Sequence, residues 1–233
     1  MRNLILLLLL ALPSLIFAAD APDTAFYGFS PDGRYCAFEN YGIHDGSGFA
    51  YSELHIIDTA KNSYAAKIST LEDDSGEKQC DELRRTLLST NAQTLKRLGI
   101  SPSNKGTVLF TNPAFDPQGG SERPEYLNKE FAFSDKKFTL TLTQIDTGKE
   151  DPYGFGMNRM FKLVLKSGNR EKILQQDTSL PKRREYAKSY RLSSAILYKN
   201  SLVVFVEYDK PGFEGYDRIK MAVSADITDL TAK

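Results

Sequence analysis

Three stretches of this chain repeat one order of features: a polar turn, an apolar strand, a loop with glycine and aromatic residues, and a second strand. In the first, Phe29-Ser30-Pro31-Asp32-Gly33-Arg34 leads into Tyr35-Cys36-Ala37-Phe38 and Tyr41. Gly48-Phe49 and Tyr51 then precede Leu54-x-Ile56. In the last, Lys199-Asn200 takes the place of Asp32-Gly33, the strand reads LVVFVEY over 202–208, and Gly212-Phe213 and Tyr216 precede Ile219-x-Met221. A middle unit opens on Phe133-Ser134-Asp135-Lys136, continues through the loop DTGKEDPYGF at 146–155, and closes on a strand at 161–165. Glycine at the turn tolerates positive φ, and Pro31 stops the strand before it. A unit of this kind cannot cover both of its own faces, so the units must stack. The expected fold is mainly β, with propeller-like antiparallel blades in about three units. Three is too few for an ordinary closed ring. A small divergent propeller, a propeller-like sandwich and a ring completed by other copies all remain open.

Other segments support this reading. Residues 137–145 (KFTLTLTQI) alternate strictly, with Phe138, Leu140 and Leu142 on one face and three threonines on the other, as a half-buried strand does. Ser167-Gly168-Asn169 between two apolar runs predicts a hairpin. Residues 75–99 break the pattern. Cys80, Leu83, Leu87, Leu88, Leu95 and Leu98 recur at helical spacing, acidic residues lead, Lys96 and Arg97 close, and Gly99 terminates. One inserted helix is expected there, with a break near 89–91 left open. Residues 112–123 carry two prolines and two glycines and read as a long loop.

The N-terminus sets the compartment. Arg2 precedes nine apolar residues, Leu4 to Leu12, and small residues follow at Ala18 and Ala19. These are the parts of a secretory signal peptide, too short for a comfortable membrane span of roughly 20 residues. Residues 1–18 are expected to be removed, Ala19 being the second choice of cleavage site, and 19–233 to form one domain. That removal costs one charge, Arg2, and takes a balanced chain to a net charge of −1. Such a balance argues against nucleic acid and against a membrane-seeking surface. No later apolar stretch reaches spanning length. In an oxidising compartment the two cysteines, Cys36 and Cys80, predict either one disulfide or two buried thiols.

The first unit resembles the repeat of TolB-type periplasmic propellers in Phe29-Ser30-Pro31-Asp32-Gly33-Arg34, Ala37-Phe38 and Ile56-x-Asp58. The longer string 29–58, with Glu39-x-Tyr41-Gly42 and Asp45-Gly46-Ser47-Gly48, is similar to a family of bacterial predicted secreted proteins of unknown function. The resemblance implies location and fold. It carries no catalytic residue.

Chemistry is sparse. The loop 45–48 with Glu39 and Asp58 offers oxygen ligands that suit Ca²⁺, or else is a glycine turn. Glu39 and Glu207 end matching strands but point to opposite faces, which weakens them as an acid–base pair. His55 is expected to face solvent and His44 to lie in a loop. The run 182–191 holds five cations and two tyrosines. It reads as an exposed connector, with contact to an anionic surface as the other option. Tyr41, Phe49, Tyr51, Tyr153, Phe155, Tyr208, Phe213 and Tyr216 fall in equivalent loops. There they either plug the blade interfaces or form a ligand patch with Glu39, Asp45 and Glu207. The expected function is a secreted or periplasmic, non-enzymatic binding module for a protein, peptide or envelope glycan. The alternative is a glycan-directed hydrolase using the loop carboxylates.

Overall fold

The computed structural model describes residues 20–75, 78–113, 126–152, 154–212 and 215–232. The apolar N-terminal stretch, Tyr153, Phe213 and most of the predicted loop at 112–123 lie outside them. The chain is mainly β, and the described residues form three antiparallel sheets, none closed into a barrel. The N-terminal sheet orders β1 (Asp23–Phe29), β2 (Tyr35–Ile43), β3 (Ala50–Asp58) and β4 (Ser63–Tyr64), with β5 (Ser69–Glu72) also on β3. Helix α1 (Cys80–Arg97) follows, then β6 (Thr107–Thr111). The outer sheet is the meander β7 (Asn128–Phe133), β8 (Lys136–Glu150), β9 (Met157–Ser167) and β10 (Arg170–Gln176). A short 3-10 turn (Lys182–Arg184) leads to β11 (Ser189–Tyr198), β12 (Ser201–Pro211) and β13 (Tyr216–Asp226). These three join β6 in the central sheet, and α2 (Thr228–Thr231) follows.

Each sequence unit falls on one hairpin of its own sheet: β2–β3, β8–β9 and β12–β13. The turn ahead of each unit brings the preceding strand round. In the first turn Ser30 Oγ accepts from Tyr35 N at 2.9 Å and donates to Asp32 Oδ1 at 2.6 Å, while Asp32 also accepts from Arg34 N. Gly33 takes φ +83° there, and Ser134, Asp135 and Lys199 take positive φ in the other two turns.

The sheets stack as layers. On β12, Leu202, Val204 and Val206 face the outer sheet's Phe138, Leu140, Leu163 and Leu165. Val203 and Phe205 face Phe29, Cys36, Phe38 and Ile57 of the N-terminal sheet. A strand buried on both faces has no polar side to show, which is why 202–206 is continuously apolar. On β8 the expected alternation holds: Phe138, Leu140 and Leu142 are at most 2% exposed. The far face of the N-terminal sheet (Ala37, Leu54, Ile56) is covered by α1 through Leu87. The helix runs unbroken through 89–91, where Thr90 Oγ1 and Asn91 Nδ2 bond back to the carbonyls of Thr86 and Leu87. Asn62, at φ +49°, ties the three sheets together. Its Nδ2 donates to Leu174 O and Gln175 Oε1, and its Oδ1 accepts from Ser224 N.

One open expectation is decided here and one is corrected. Of a disulfide or two buried thiols, the disulfide is absent: Cys36 and Cys80 are free thiols, the first buried and the second partly so. Cys36 points toward the central sheet while Cys80 begins the helix on the opposite face, so the N-terminal sheet stands between them. Burial pushes the Cys36 thiol well above its ordinary value. A reductant is therefore expected to leave the thermal midpoint unchanged, with two thiols per chain titrating after denaturation; one thiol or none would overturn this. His55 is 4% exposed rather than solvent-facing, stacked on Phe38 with centroids 4.5 Å apart. Its side of β3 faces the central sheet instead of water.

Candidate functional site

The apolar contact between the N-terminal and central sheets ends at Phe38 and Phe205. Beyond it both strands turn polar, with Asn40 on β2 and Glu207 and Asp209 on β12. Asn40 Nδ2 reaches across to Lys220 O at 2.7 Å. A cleft of two adjoining chambers lies along this polar stretch.

The first chamber holds about 390 Å³ and is lined by His44, Tyr51, Glu72, Lys210 and Asp217 among others. His44 stacks on Tyr51 with centroids 4.1 Å apart. Its Nδ1 lies 2.5 Å from Asp20 Oδ2 and its Nε2 3.7 Å from Glu72 Oε1. Asp20 links the hairpin ends. It accepts from Asp45 N at 2.6 Å, donates its own N–H to Asp217 Oδ1 at 3.2 Å, and accepts from Arg218 N at 2.7 Å. Burial, with the nearby Asp20 carboxylate adding, raises the Asp217 carboxyl above its usual range. Burial and the same group of carboxylates push the Tyr51 phenol up as well.

The second chamber holds about 330 Å³ and is lined by His55, Tyr64, Lys182, Lys220 and Met221 among others. Glu53, Arg183, Tyr208 and Ile219 line both chambers. Arg183 Nη2 bonds both Glu53 oxygens at 3.0 and 3.1 Å, and Tyr208 Oη donates to Arg183 O at 3.1 Å. The neighbouring His55 ring and the Arg183 guanidinium outweigh burial and bring the Glu53 carboxyl down to about 2. A depressed carboxyl contributes stability that is complete above its unfolded value and is lost as pH falls through its folded one. Unfolding titrations of the wild type should therefore lose stability from about pH 4.5 to about 2. Glu53→Gln should flatten that fall, although protonation of Asp217, whose shift is opposite in sign, works against it. An unchanged slope would contradict the assignment.

The predicted site residues divide. Tyr51 and Tyr208 line the cleft. Tyr216 meets Phe155 edge-on at 6.1 Å, bringing together the loops of two sheets. Tyr41 lies under the Arg84 guanidinium, 3.5 Å from its ring centroid. Asp45 is exposed in the β2–β3 loop. Glu39 is fully buried beneath α1, where it accepts from Tyr27 Oη, from Ser52 Oγ at 2.7 Å and from Arg84 Nε at 3.1 and 3.2 Å. Glu207 lies between the N-terminal and central sheets with Arg191 and Ser193, both at 3.0 Å. Glu39 and Glu207 are thus on opposite sides of the N-terminal sheet and share no cleft. Glu39, Asp45 and Asp58 do not converge on a Ca²⁺ position either. Asp58 sits at the base of the hairpin against Arg34, the far end from Asp45. Among the described residues no group of three or more His, Cys, Asp and Glu side chains is placed to hold a metal ion.

The basic run is an exposed connector only at Lys182, Arg183 and Glu185. Arg184 forks onto Asp177 with two bonds of 2.7 Å. Lys188 bonds Asn158 Oδ1 at 2.7 Å and lies 3.2 Å from Asp151, and Arg191 spans Glu207 and Asp209. All three cations are at most 9% exposed. Sequence reasoning missed Glu53, Glu72 and Asp217, and singled out Arg183 only as part of the basic run. The one available signal was the alternation Tyr51-x-Glu53-x-His55, which puts three polar-tipped side chains on one face of β3.

No helix among the described residues is long and apolar enough to cross a membrane. Residues 37–225 match the model of a family described as "Predicted secreted protein (DUF2259)". The comparison with curated proteins returned no match.

Proposed function

The chain belongs to the DUF2259 family of predicted secreted proteins and so acts outside the cytoplasm, and from that premise we propose that it is a non-catalytic periplasmic binding module that holds a peptide between its N-terminal and central sheets. The observation that carries this reading is the cleft itself, where buried tyrosines and charges of both signs stand side by side. An extended peptide offers both backbone polarity and side chains to such walls, and the tyrosines supply rigid contact area. The hydrolytic alternative needs a pair of carboxylates free to work. Glu39 and Glu207, its strongest candidates, are each held by an arginine and a serine. Propeller-like kinship of the three sheets is compatible with this use, since loops of stacked blades gather at one end.

The test is retention of a mixed tetrapeptide library on the immobilised chain, compared with Arg183→Gln and Glu72→Gln variants. These side chains are partly exposed, so the fold should persist. Retention is expected to fall about tenfold or more in at least one variant, the usual scale for a well-placed contact. Equal retention by all three proteins, or preferential retention of envelope oligosaccharides, would overturn the peptide reading.

A further inference from the structure

We propose that the His55 chamber receives an organic anion with an apolar body, which in a bound peptide is the C-terminal carboxylate and last side chain. This rests on the peptide reading above and specifies which end of the ligand lies where. The imidazole is 96% buried by its 4% exposure, lines the cavity, and makes no hydrogen bond through either ring nitrogen. Its closest charged neighbour, Glu53 Oε2, stands 3.5 Å from Nε2, an ion-pair separation rather than a well-formed hydrogen bond. Buried polar groups almost always find a partner. A buried ring with that one ionic neighbour and no hydrogen bond, beside a chamber of about 330 Å³, is placed to meet a ligand atom.

The surrounding charge selects the sign. One carboxylate, Glu53, faces this chamber, against Lys182, Arg183, Arg184 and Lys220. Arg184 is committed to Asp177, and Lys220 lies 3.6 Å from Glu207. Arg183 is held by Glu53, the one carboxylate here, so Lys182 at the entrance supplies the excess positive charge, and the Arg183–Glu53 pair is shared with the first chamber. The first chamber instead mixes the carboxylates Asp20, Glu72 and Asp217 with Lys210 and Arg218 and shows no such excess of cations. Pro181, Tyr64, Ile219 and Met221 give the inner wall an apolar body. A carboxylate beside a hydrophobic group matches that lining, and a charge-assisted bond to the imidazole is stronger than a neutral one.

The chain has two histidines, so its imidazole NMR signals are assigned by one His44→Gln variant. Gly-Gly-Phe, its C-terminal amide and 3-phenylpropionate are each titrated into the full chain. The expected result is that both acids shift the His55 signals and that the amide binds at least about tenfold more weakly than the acid. Equal binding of acid and amide would overturn the anion assignment while leaving a cleft that binds peptides. Binding that moves only the His44 signals would overturn the placement. If 3-phenylpropionate shifts His55 but no peptide does, the chamber assignment stands and the peptide reading falls. Silence from all three probes sinks both. His55→Gln, where it folds, should abolish the preference for the acid.

Discussion

Arg191→Ala is expected to destabilise the protein by about 3–5 kcal/mol, the usual cost of breaking a buried ion pair from one side. Arg191 donates from Nε to Glu207 at 3.0 Å and from both Nη atoms to Asp209 at 2.9 and 3.1 Å, with the arginine 6% exposed. One guanidinium therefore bonds two carboxylates two residues apart on β12, a job its planar fork suits and an ammonium does not. Ser193 and Ser189 complete their hydrogen bonds at 3.0 and 2.6 Å. Alanine takes the guanidinium away from two anions between packed sheets, with Lys220 standing 3.6 Å from Glu207. Urea unfolding measures the loss. If Arg191→Ala does not fold, Arg191→Lys should fold with a smaller loss. Arg191→Met combined with Glu207→Gln and Asp209→Asn should recover much of the stability, because the penalty comes from uncompensated charge. A loss below about 1 kcal/mol for the single variant would mean that the carboxylates are solvated and the pair behaves as a surface one.

The same arginine shows where sequence reasoning reaches its limit. Local pattern is visible in the chain: the alternation of Phe138, Leu140 and Leu142, the helical spacing of Leu83 and Leu87, and the turn chemistry of Ser30 and Asp32 each reappear as expected. Those features depend on neighbours a few residues away. The charges of 182–191 depend on Asp177, Asp151, Glu207 and Asp209, two of them on a strand reached only after the chain has turned back. A cation next to other cations in sequence looks solvated until its partners are placed. His55 was misread for a related reason. Alternation identifies which residues share a face, but β3 has α1 on one face and the central sheet on the other, so neither face is wet. The cleft is the extreme case. His44, Glu53, Glu72, Arg183 and Asp217 come from five separate elements or loops, and only the stacking of two sheets brings them together.

Gly28→Ala is expected to cost about 3–5 kcal/mol or to prevent folding, an effect of a size that needs a specific structural cause. Gly28 sits at a bulge in β1, at φ +96°, where the pairing with β2 skips from Phe26 to Gly28. A Cβ there would stand 2.1 Å from Ser101 O and 3.1 Å from Asn104 O, both backbone atoms. Those carbonyls are held in place. Asn104 O accepts from Phe29 N at 2.8 Å, Ser101 N donates to Phe29 O at 3.2 Å, and Asn104 Nδ2 donates to the same oxygen at 3.2 Å. The segment 99–106 thus clamps β1 where the chain leaves α1 for β6, and the clamp works only because no side chain intervenes. Gly168→Ala is the control. It also has positive φ, +56°, but nothing lies within 4 Å of its added carbon. It should cost only the conformational penalty of about 1–2 kcal/mol. The difference between the two variants in thermal or urea unfolding isolates the close approach from the backbone preference. Equal losses would mean that the loop yields and the clamp carries little stability. Because Gly28 lines neither chamber of the cleft, whatever fraction of Gly28→Ala folds should still bind 3-phenylpropionate with unaltered affinity.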